Sequence, residues 1–137
     1  MKAVIDTCII IDYLQKRQPF YADACNIIMS LANNQFDGYI TAKSVNDIYY
    51  LLHRYFHDDK LTRNTLSSLF RLFIILDTTA LDCQLAVLSA VGDYEDAVMT
   101  ETAFRSNMDC IVTRNISDFK NAVVTVYSPQ DFLKLIQ

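Results

Sequence analysis

The chain has few of the residues that build phosphate-binding loops. It contains only two glycines, Gly38 and Gly92, and neither belongs to a G-x-G-x-x-G sequence or to a P-loop. Such loops bring backbone N–H groups close to the phosphates of a nucleotide. Their absence argues against a dinucleotide or nucleoside triphosphate site of the usual kind.

Closely spaced cysteines are also missing. The four cysteines lie far apart, and no two of them form a C-x-x-C pair: Cys8, Cys25, Cys83 and Cys110. This spacing argues against a zinc knuckle and against a redox motif. We expect four buried thiols in a reducing cytoplasm.

The sequence has no long apolar run. No uninterrupted stretch approaches the ~20 residues that a membrane-spanning helix requires. The apolar start, residues 1–11, resembles a signal sequence, but Asp6 interrupts it and no small-residue cleavage site follows. We therefore expect a cytoplasmic protein without a membrane anchor.

Positive charge is in deficit. The chain has 12 Lys and Arg against 16 Asp and Glu, a formal net charge of −4. This balance argues against a protein that holds nucleic acid by bulk electrostatics, because phosphate contacts need Lys or Arg. A cluster of acids becomes a phosphate site once it is loaded with metal ions.

Short apolar strands alternate with helices along the chain. The predicted strands are Lys2–Ile5, Tyr39–Ala42, Phe73–Asp77, Cys110–Thr113 and Val123–Val126, with Gly38 marking a turn. The predicted helices are Thr7–Gln15, Pro19–Asn33, a helix capped by Ser44 that extends to Phe56, Lys60–Leu72, Thr79–Val91, Tyr94–Ser106 and Pro129–Ile136. Continuous apolar strands separated by helices indicate a parallel sheet covered on both faces, an α/β fold of three layers. No repeat or linker is present, so residues 1–137 are expected to form one domain.

Four aspartates fall where such a sheet binds its ligands. Asp6 directly follows the first strand, and Asp118 lies just beyond the strand Cys110–Thr113. Asp47 and Asp96 lie in the first turns of their helices. Ligands of open α/β sheets bind at the carboxyl ends of the strands, so these acids can share one rim.

Each acid alone also has a structural interpretation, because aspartate caps helices and is favoured in their first turns. Taken together, the four acids favour a functional interpretation. Crowded carboxylates repel one another by a few kcal/mol at an effective dielectric constant near 20, so such crowding needs a reason. Mg²⁺ and Mn²⁺ provide one, because both prefer hard oxygen ligands.

Other side chains allow weaker hypotheses. His53 and His57 lie four residues apart and could chelate zinc, but no acidic base stands between them as in H-E-x-x-H. Aromatic residues of the same region could stack on RNA bases, although core packing or a subunit contact is the more frequent role of such a stripe: Tyr49, Tyr50, Tyr55 and Phe56. Among the scattered basic residues, Arg114 is the best candidate for an RNA contact.

Four segments of the chain resemble the ordered motifs of PIN domains. They begin at Val4-Ile5-Asp6-Thr7, Ser44-Val45-Asn46-Asp47, Asp93-Tyr94-Glu95-Asp96 and Ile111-Val112-Thr113-Arg114, and the last continues to Asp118 and Phe119. They occur in the order expected of the family and cover nearly the whole chain. The resemblance implies a PIN-like α/β/α fold and a ribonuclease similar to VapC-type toxins, with Mg²⁺ or Mn²⁺ as cofactor.

The resemblance also implies roles for individual residues. Asp6, Asp96 and Asp118 match the acidic positions of the family and would bind the metal. Thr113 and Asn115 match polar positions beside the last acid. Asp47 stands where many members have Glu and is one methylene shorter, so it is expected to act on metal-bound water.

Two further departures concern the same site: Cys8 stands where Asn is usual, and Asn115 stands where Asp is frequent. The expected function is hydrolysis of RNA phosphodiester bonds by a metal-dependent endoribonuclease, with an antitoxin protein and a second copy of the chain as expected partners. The alternative is a catalytically weak or inactive PIN-like interaction module whose acids are vestigial or structural.

Overall fold

The computed structural model describes all 137 residues and contains one five-stranded sheet. The strands are β1 (Lys2–Ile5), β2 (Asp37–Thr41), β3 (Ile74–Leu76), β4 (Cys110–Val112) and β5 (Thr125–Tyr127). They are all parallel and lie in the order β3-β2-β1-β4-β5, with Val4 opposite Tyr39 on one side and Ile111 on the other. The strand order places β1 at the centre of the sheet.

Seven α-helices connect or follow the strands. They are α1 (Thr7–Leu14), α2 (Tyr21–Ala32), α3 (Ala42–Phe56), α4 (Asp59–Leu72), α5 (Ala80–Ala86), α6 (Tyr94–Arg105) and α7 (Pro129–Ile136), and a 3-10 turn covers Ile116–Phe119. None of them is long and apolar enough to cross a membrane.

Burial of the central strand explains the three layers. Ala3, Val4 and Ile5 have no exposed surface, and successive strand residues point to opposite faces of the sheet. Ala3 and Ile5 belong to the larger core cluster, which includes residues of α1–α4 and α7, whereas Val4 packs with Met99 of α6 in a second cluster. The predicted three-layer α/β fold with a parallel sheet is confirmed.

Several predicted boundaries were wrong. Thr41, and not Ser44, caps α3: its hydroxyl accepts a hydrogen bond from the Ser44 backbone N–H at 3.1 Å. Helix α2 begins at Tyr21, after Pro19, and α5 ends at Ala86, well before Val91. Strand β1 and helix α7 have the predicted spans, and the other elements differ from theirs by a few residues, because helix and strand ends depend on capping contacts and sheet pairing.

Gly38 lies inside β2 and does not mark a turn. A Cβ atom at this position would lie 2.8 Å from both terminal methyl carbons of Leu31 and 3.2 Å from Phe73. Glycine therefore permits α2 and the start of β3 to pack closely on the strand.

A buried ion pair connects helices α5 and α6. Asp82, with only 1% of its surface exposed, accepts two hydrogen bonds from the Arg105 guanidinium at 2.9 Å each and one from the Thr102 hydroxyl. Burial raises the pKa of Asp82, but the bonds from Arg105, the Thr79 backbone and Thr102 outweigh it and lower the pKa to about 2. This aspartate is structural.

We predict that Phe132→Ala destabilises the fold strongly. Phe132 of α7 is fully buried and meets Phe36 edge to face, with ring centroids 4.9 Å apart. Truncating such a ring costs about 3–5 kcal/mol in free energy of unfolding. Urea denaturation followed by circular dichroism measures it, with Leu135→Ala on the exposed side of the same helix as control. Equal losses in the two variants would contradict this account of the core.

Candidate active site

The carboxyl ends of β1 and β4 meet at one rim of the sheet. Asp6 caps α1 immediately after β1, and its backbone N–H donates to the Val112 carbonyl of β4 at 3.0 Å. Thr113 follows β4 and is fully buried. The parallel pairing of these two central strands therefore holds two residues 107 positions apart side by side.

Asp6 is held by a hydroxyl and a thiol. The Thr113 hydroxyl donates to Asp6 Oδ2 at 2.7 Å, and Cys8 Sγ lies 3.6 Å from the same oxygen. Burial raises the pKa of Asp6, and the hydrogen bond from Thr113 offsets part of this effect. Burial, followed by the Asp6 charge, raises the pKa of the Cys8 thiol to about 11. Cys8 is therefore a thiol at neutral pH, able to donate weakly to the carboxylate.

Three of the four predicted acids line one pocket, here called the acid pocket. It has a volume of about 250 Å³, and its walls come from the ends of β1 and β2 and the first turns of α3 and α6. Its charged lining residues are Asp6, Lys43, Asp47, Glu95 and Asp96. Four carboxylates and one ammonium group therefore face a single cavity.

Burial and several neighbouring negative charges act on Asp96 in the acid pocket. Burial is the first cause that raises its pKa, and the negative charges of Asp6, Asp93, Asp118 and Glu95 follow in that order, so that the pKa reaches about 7. The Asp96 backbone N–H donates to the Asp93 side chain at 3.0 Å, so the capping residue of α6 adds a charge as well as a hydrogen bond. The side chain that caps α6 is therefore that of Asp93, and capping does not explain why an acid occupies position 96.

Asp118 lies outside the walls of the acid pocket. It is exposed on the 3-10 turn that follows β4, and its backbone N–H donates to the Asn115 carbonyl at 3.0 Å. Its charge nevertheless acts on Asp96. The structure thus places Asp118 near the other acids, but no three His, Cys, Asp or Glu side chains form a ready metal-binding group.

Asn115 is connected to the site through its backbone. Its N–H donates to the Thr113 hydroxyl oxygen at 3.0 Å, while that hydroxyl donates onward to Asp6. The Asn115 residue is exposed. The short chain of hydrogen bonds couples the turn after β4 to the carboxylate at the end of β1.

Lys43 is a pocket residue that the sequence did not single out. Its ammonium group lies 2.5 Å from Asp47 Oδ2 and 3.2 Å from Glu95 Oε1, so it bridges α3 and α6. Burial lowers the pKa of Lys43, but hydrogen bonds and charges from Asp47 and Glu95 raise it overall. The i, i+4 spacing of Lys43 and Asp47 on α3 is a sequence signal for this pair, whereas Glu95 is brought in by the fold.

Arg114 has a different partner from the one expected. Its guanidinium makes two hydrogen bonds to the buried Asp12 carboxylate, at 2.5 and 3.2 Å, and lies 3.8 Å from the centre of the Phe20 ring. A buried acid needs such a partner, because an unpaired buried charge costs several kcal/mol. Arg114 therefore connects the turn after β4 to α1, and its charge is paired with the carboxylate of Asp12.

The oxygen-rich pocket fits a divalent cation on grounds of its own chemistry. Every side chain that crowds Asp96 offers hard carboxylate oxygens, and Lys43 is the only cation in the pocket wall. A divalent ion would neutralise the excess negative charge that raises the pKa of Asp96.

Comparison with known families matches residues 2–117 to the PIN domain. The chain belongs to the PIN domain family. Members of this family are generally nucleases. No curated protein matches this PIN domain.

Solved structures with the same fold are distant in sequence. FitAcB from Neisseria gonorrhoeae has 22% identity and a TM-score of 0.69, and the match covers 93% of this chain and 98% of the other. A toxin-antitoxin complex from Klebsiella pneumoniae has 22% identity and a TM-score of 0.68, with 93% and 97% covered. VapBC2 from Rickettsia felis, bound to a DNA fragment from their promoter, has 18% identity and a TM-score of 0.66, with 93% and 98% covered. At these identities the similarity shows the PIN fold.

We predict that Asp96→Asn stabilises the metal-free protein at high pH. The pKa of Asp96 is about 7 in the fold against 3.8 for an ordinary aspartate, so the folded state gains a proton before the unfolded state does. Wild-type stability therefore falls as the pH rises from about 4 through 7. The variant lacks this loss, so its melting temperature should exceed that of the wild type at pH 8 and approach it near pH 4.

Thermal unfolding in EDTA, monitored by circular dichroism, measures this difference. Asp37→Asn, at the opposite end of β2 on the exposed surface, is the matched control and should show no such pH-dependent gain. A melting temperature for Asp96→Asn that is equal to or below the wild type at pH 8 would refute the crowding of charge around Asp96.

Proposed function

We propose that this PIN domain, acting as one domain over residues 1–137, is an endoribonuclease that depends on Mg²⁺ or Mn²⁺. The observation that supports it is the convergence of Asp6, Asp47 and Asp96 on one pocket at the sheet rim, with the pKa of Asp96 raised by its acidic neighbours. Carboxylates that repel one another in the absence of a cation form a strong ligand set in its presence.

Asp6, Asp96 and Asp118 are the proposed ligands of the ion. A bound divalent ion supplies Lewis-acid stabilisation of a phosphodiester and lowers the pKa of water. Asp6 is already oriented by Thr113, so it loses little freedom on binding a cation. Asp118, on its exposed turn, contributes its charge from the open side of the site.

The other site residues have positioning roles in this proposal. Asp47 positions the attacking water by accepting a hydrogen bond from it, and Lys43 holds its carboxylate in place. Thr113 keeps Asp6 pointed into the pocket. Asn115 adds a neutral amide oxygen beside the acids, and its backbone N–H orients the Thr113 hydroxyl.

The proposed biological setting is a toxin-antitoxin pair in the cytoplasm. Structural neighbours with the same fold include a toxin-antitoxin complex and a VapBC complex, which supports an antitoxin as a protein partner of this chain. We also propose a homodimer through the apolar faces of the second to fourth helices, where Met29 of α2 and Phe70 of α4 are 56% and 42% exposed. Light scattering that reports a monomer would exclude the dimer.

We predict that the purified protein cleaves single-stranded RNA when Mn²⁺ or Mg²⁺ is present and that EDTA abolishes cleavage. Asp6→Asn should lower the cleavage rate at least about 100-fold, because it removes a ligand charge at the centre of the site. Gel analysis of a labelled RNA gives the rate, and Asp37→Asn serves as the control for loss of an exposed carboxylate away from the rim. Cleavage that continues unchanged in EDTA, or in Asp6→Asn, would refute the assignment.

Metal-induced stabilisation separates the enzyme from a binding module without activity. Saturating Mn²⁺ at about 100 times its Kd should raise the free energy of unfolding by about 2.7 kcal/mol. The rise should disappear in Asp96→Asn. No stabilisation by Mn²⁺ would favour the interaction module, whose acids are vestigial or structural, and would remove the metal site from the proposal.

A further inference from the structure

A second cavity lies beside the acid pocket, between α1 and α3. It has a volume of about 350 Å³ and is lined by Ile11, Gln15, Arg17, Leu51, Arg54 and Tyr55; we call it the α1–α3 groove. Leu51 also lines the acid pocket, so the two cavities share a wall. No acid lines the groove.

Helix α3 connects the two cavities. Asp47, Leu51 and Arg54 are spaced i, i+4 and i+7, so they lie along one face of the helix. From Asp47 to Arg54 the helix rises roughly 10 Å, given 1.5 Å per residue. An extended ligand that leaves the acid pocket along this face of α3 therefore reaches Arg54 within two helical turns.

Aromatic and guanidinium groups alternate along this path. Tyr50 lines the acid pocket with 60% of its surface exposed, and the Arg54 guanidinium carbon lies 5.6 Å from the centre of its ring. Tyr55, 55% exposed, lines the groove. Exposed rings and guanidinium planes on which bases stack, together with positive charge for phosphates, are the features of surfaces that bind single-stranded nucleic acid.

The two arginines of the groove have few charged partners within the chain. Arg54 forms no salt bridge, and Arg17, with half of its side chain exposed, reaches only to 3.9 Å from Asp12. Asp12 already has Arg114 as its closer partner. In a protein with a net charge of −4, Arg54 has no acidic partner and Arg17 shares Asp12 with Arg114, so both guanidinium groups of this groove next to four carboxylates are placed to bind an anionic chain.

From this placement we propose that the α1–α3 groove binds the single-stranded RNA flanking the cleavage point, with Arg54 and Arg17 on phosphates and Tyr50 and Tyr55 stacked on bases. The proposal rests on the ribonuclease activity proposed above and adds the direction in which the substrate strand leaves the acid pocket. Because every base has a face on which an aromatic ring can stack, the groove should bind RNA of many sequences. Exposed rings stack on unpaired bases, so a single strand should be favoured over a duplex.

The experiment measures RNA affinity separately from cleavage. Fluorescence anisotropy of a labelled single-stranded RNA 12-mer is recorded with the Asp6→Asn protein in Mn²⁺ at several salt concentrations. Adding Arg54→Ala or Tyr55→Ala should weaken binding at least about fivefold. Arg54→Ala should also reduce the slope of log affinity against log salt by about 0.7, the value for one phosphate contact on a single strand.

Two matched variants sharpen the result. Arg54→Lys keeps the charge and should retain the salt slope while losing part of the affinity, because an ammonium group cannot bind a phosphate through the two parallel N–H donors of a guanidinium. Arg71→Ala removes an exposed arginine at the end of α4 that lines neither cavity, and should bind as the parent protein does. The side chains of Arg54, Tyr55 and Arg71 are exposed, and melting temperatures verify that each variant is folded.

Cleavage kinetics of the otherwise wild-type protein give an independent readout. Arg54→Ala should raise KM for the 12-mer several-fold with little change in kcat, whereas Arg71→Ala, which lies outside both cavities, should change neither value.

The possible outcomes distinguish this proposal from the proposed function. RNA cleavage together with equal affinities for Arg54→Ala and Arg71→Ala would overturn the groove and leave the ribonuclease standing. RNA affinity that depends on Arg54 and Tyr55 without any cleavage would support the groove and reject the ribonuclease. Failure of the 12-mer to bind at all, or stronger binding of a duplex, would also overturn the groove.

Discussion

Repulsion between the carboxylates at the rim of the sheet is the constraint around which this PIN domain is arranged. Asp6 lies at the end of the central strand with little exposed surface, and Asp96 faces it from the start of α6. Two features counter the repulsion within the chain: the Thr113 hydroxyl donates to Asp6, and Lys43 draws Asp47 and Glu95 together. They leave Asp96 without a partner cation. The repulsion between carboxylates therefore destabilises the folded state at this rim, and strongly shifted pKa values of this kind are common at functional sites.

Asp82 and Asp96 show how the fold decides the role of an acid. Both lie in the first turn of a helix, α5 and α6 respectively, where aspartate is favoured for local reasons. Asp82 faces Arg105, and its pKa falls to about 2; Asp96 faces other acids, and its pKa rises to about 7. The same residue type in the same local position therefore serves structure in one case and is available for chemistry in the other.

Positive charge near the site is divided between two tasks. Arg114, next to Thr113, is committed to the buried Asp12 and holds the turn after β4 against α1. Arg54 lies on the opposite side of the acid pocket wall, on an exposed helix face, without an acid of its own. Proximity in sequence to the acids of the rim is therefore a poor guide to which arginine has no acidic partner, because a buried carboxylate needs a cation beside it.

The sequence by itself determined the α/β class, the parallel sheet and the order of its alternating elements, because continuous apolar strands and amphipathic helices are local patterns. It also identified Asp6, Asp47, Asp96 and Asp118 as a candidate set, through their positions after strands and in first helical turns. Only the tertiary structure brought Thr113 to Asp6 and Glu95 to the Lys43–Asp47 pair, and it paired Arg114 with the buried Asp12. The physical reason is that pKa values and ion pairs depend on distances between side chains of different elements, and these distances are set by sheet order and packing, which no local pattern encodes.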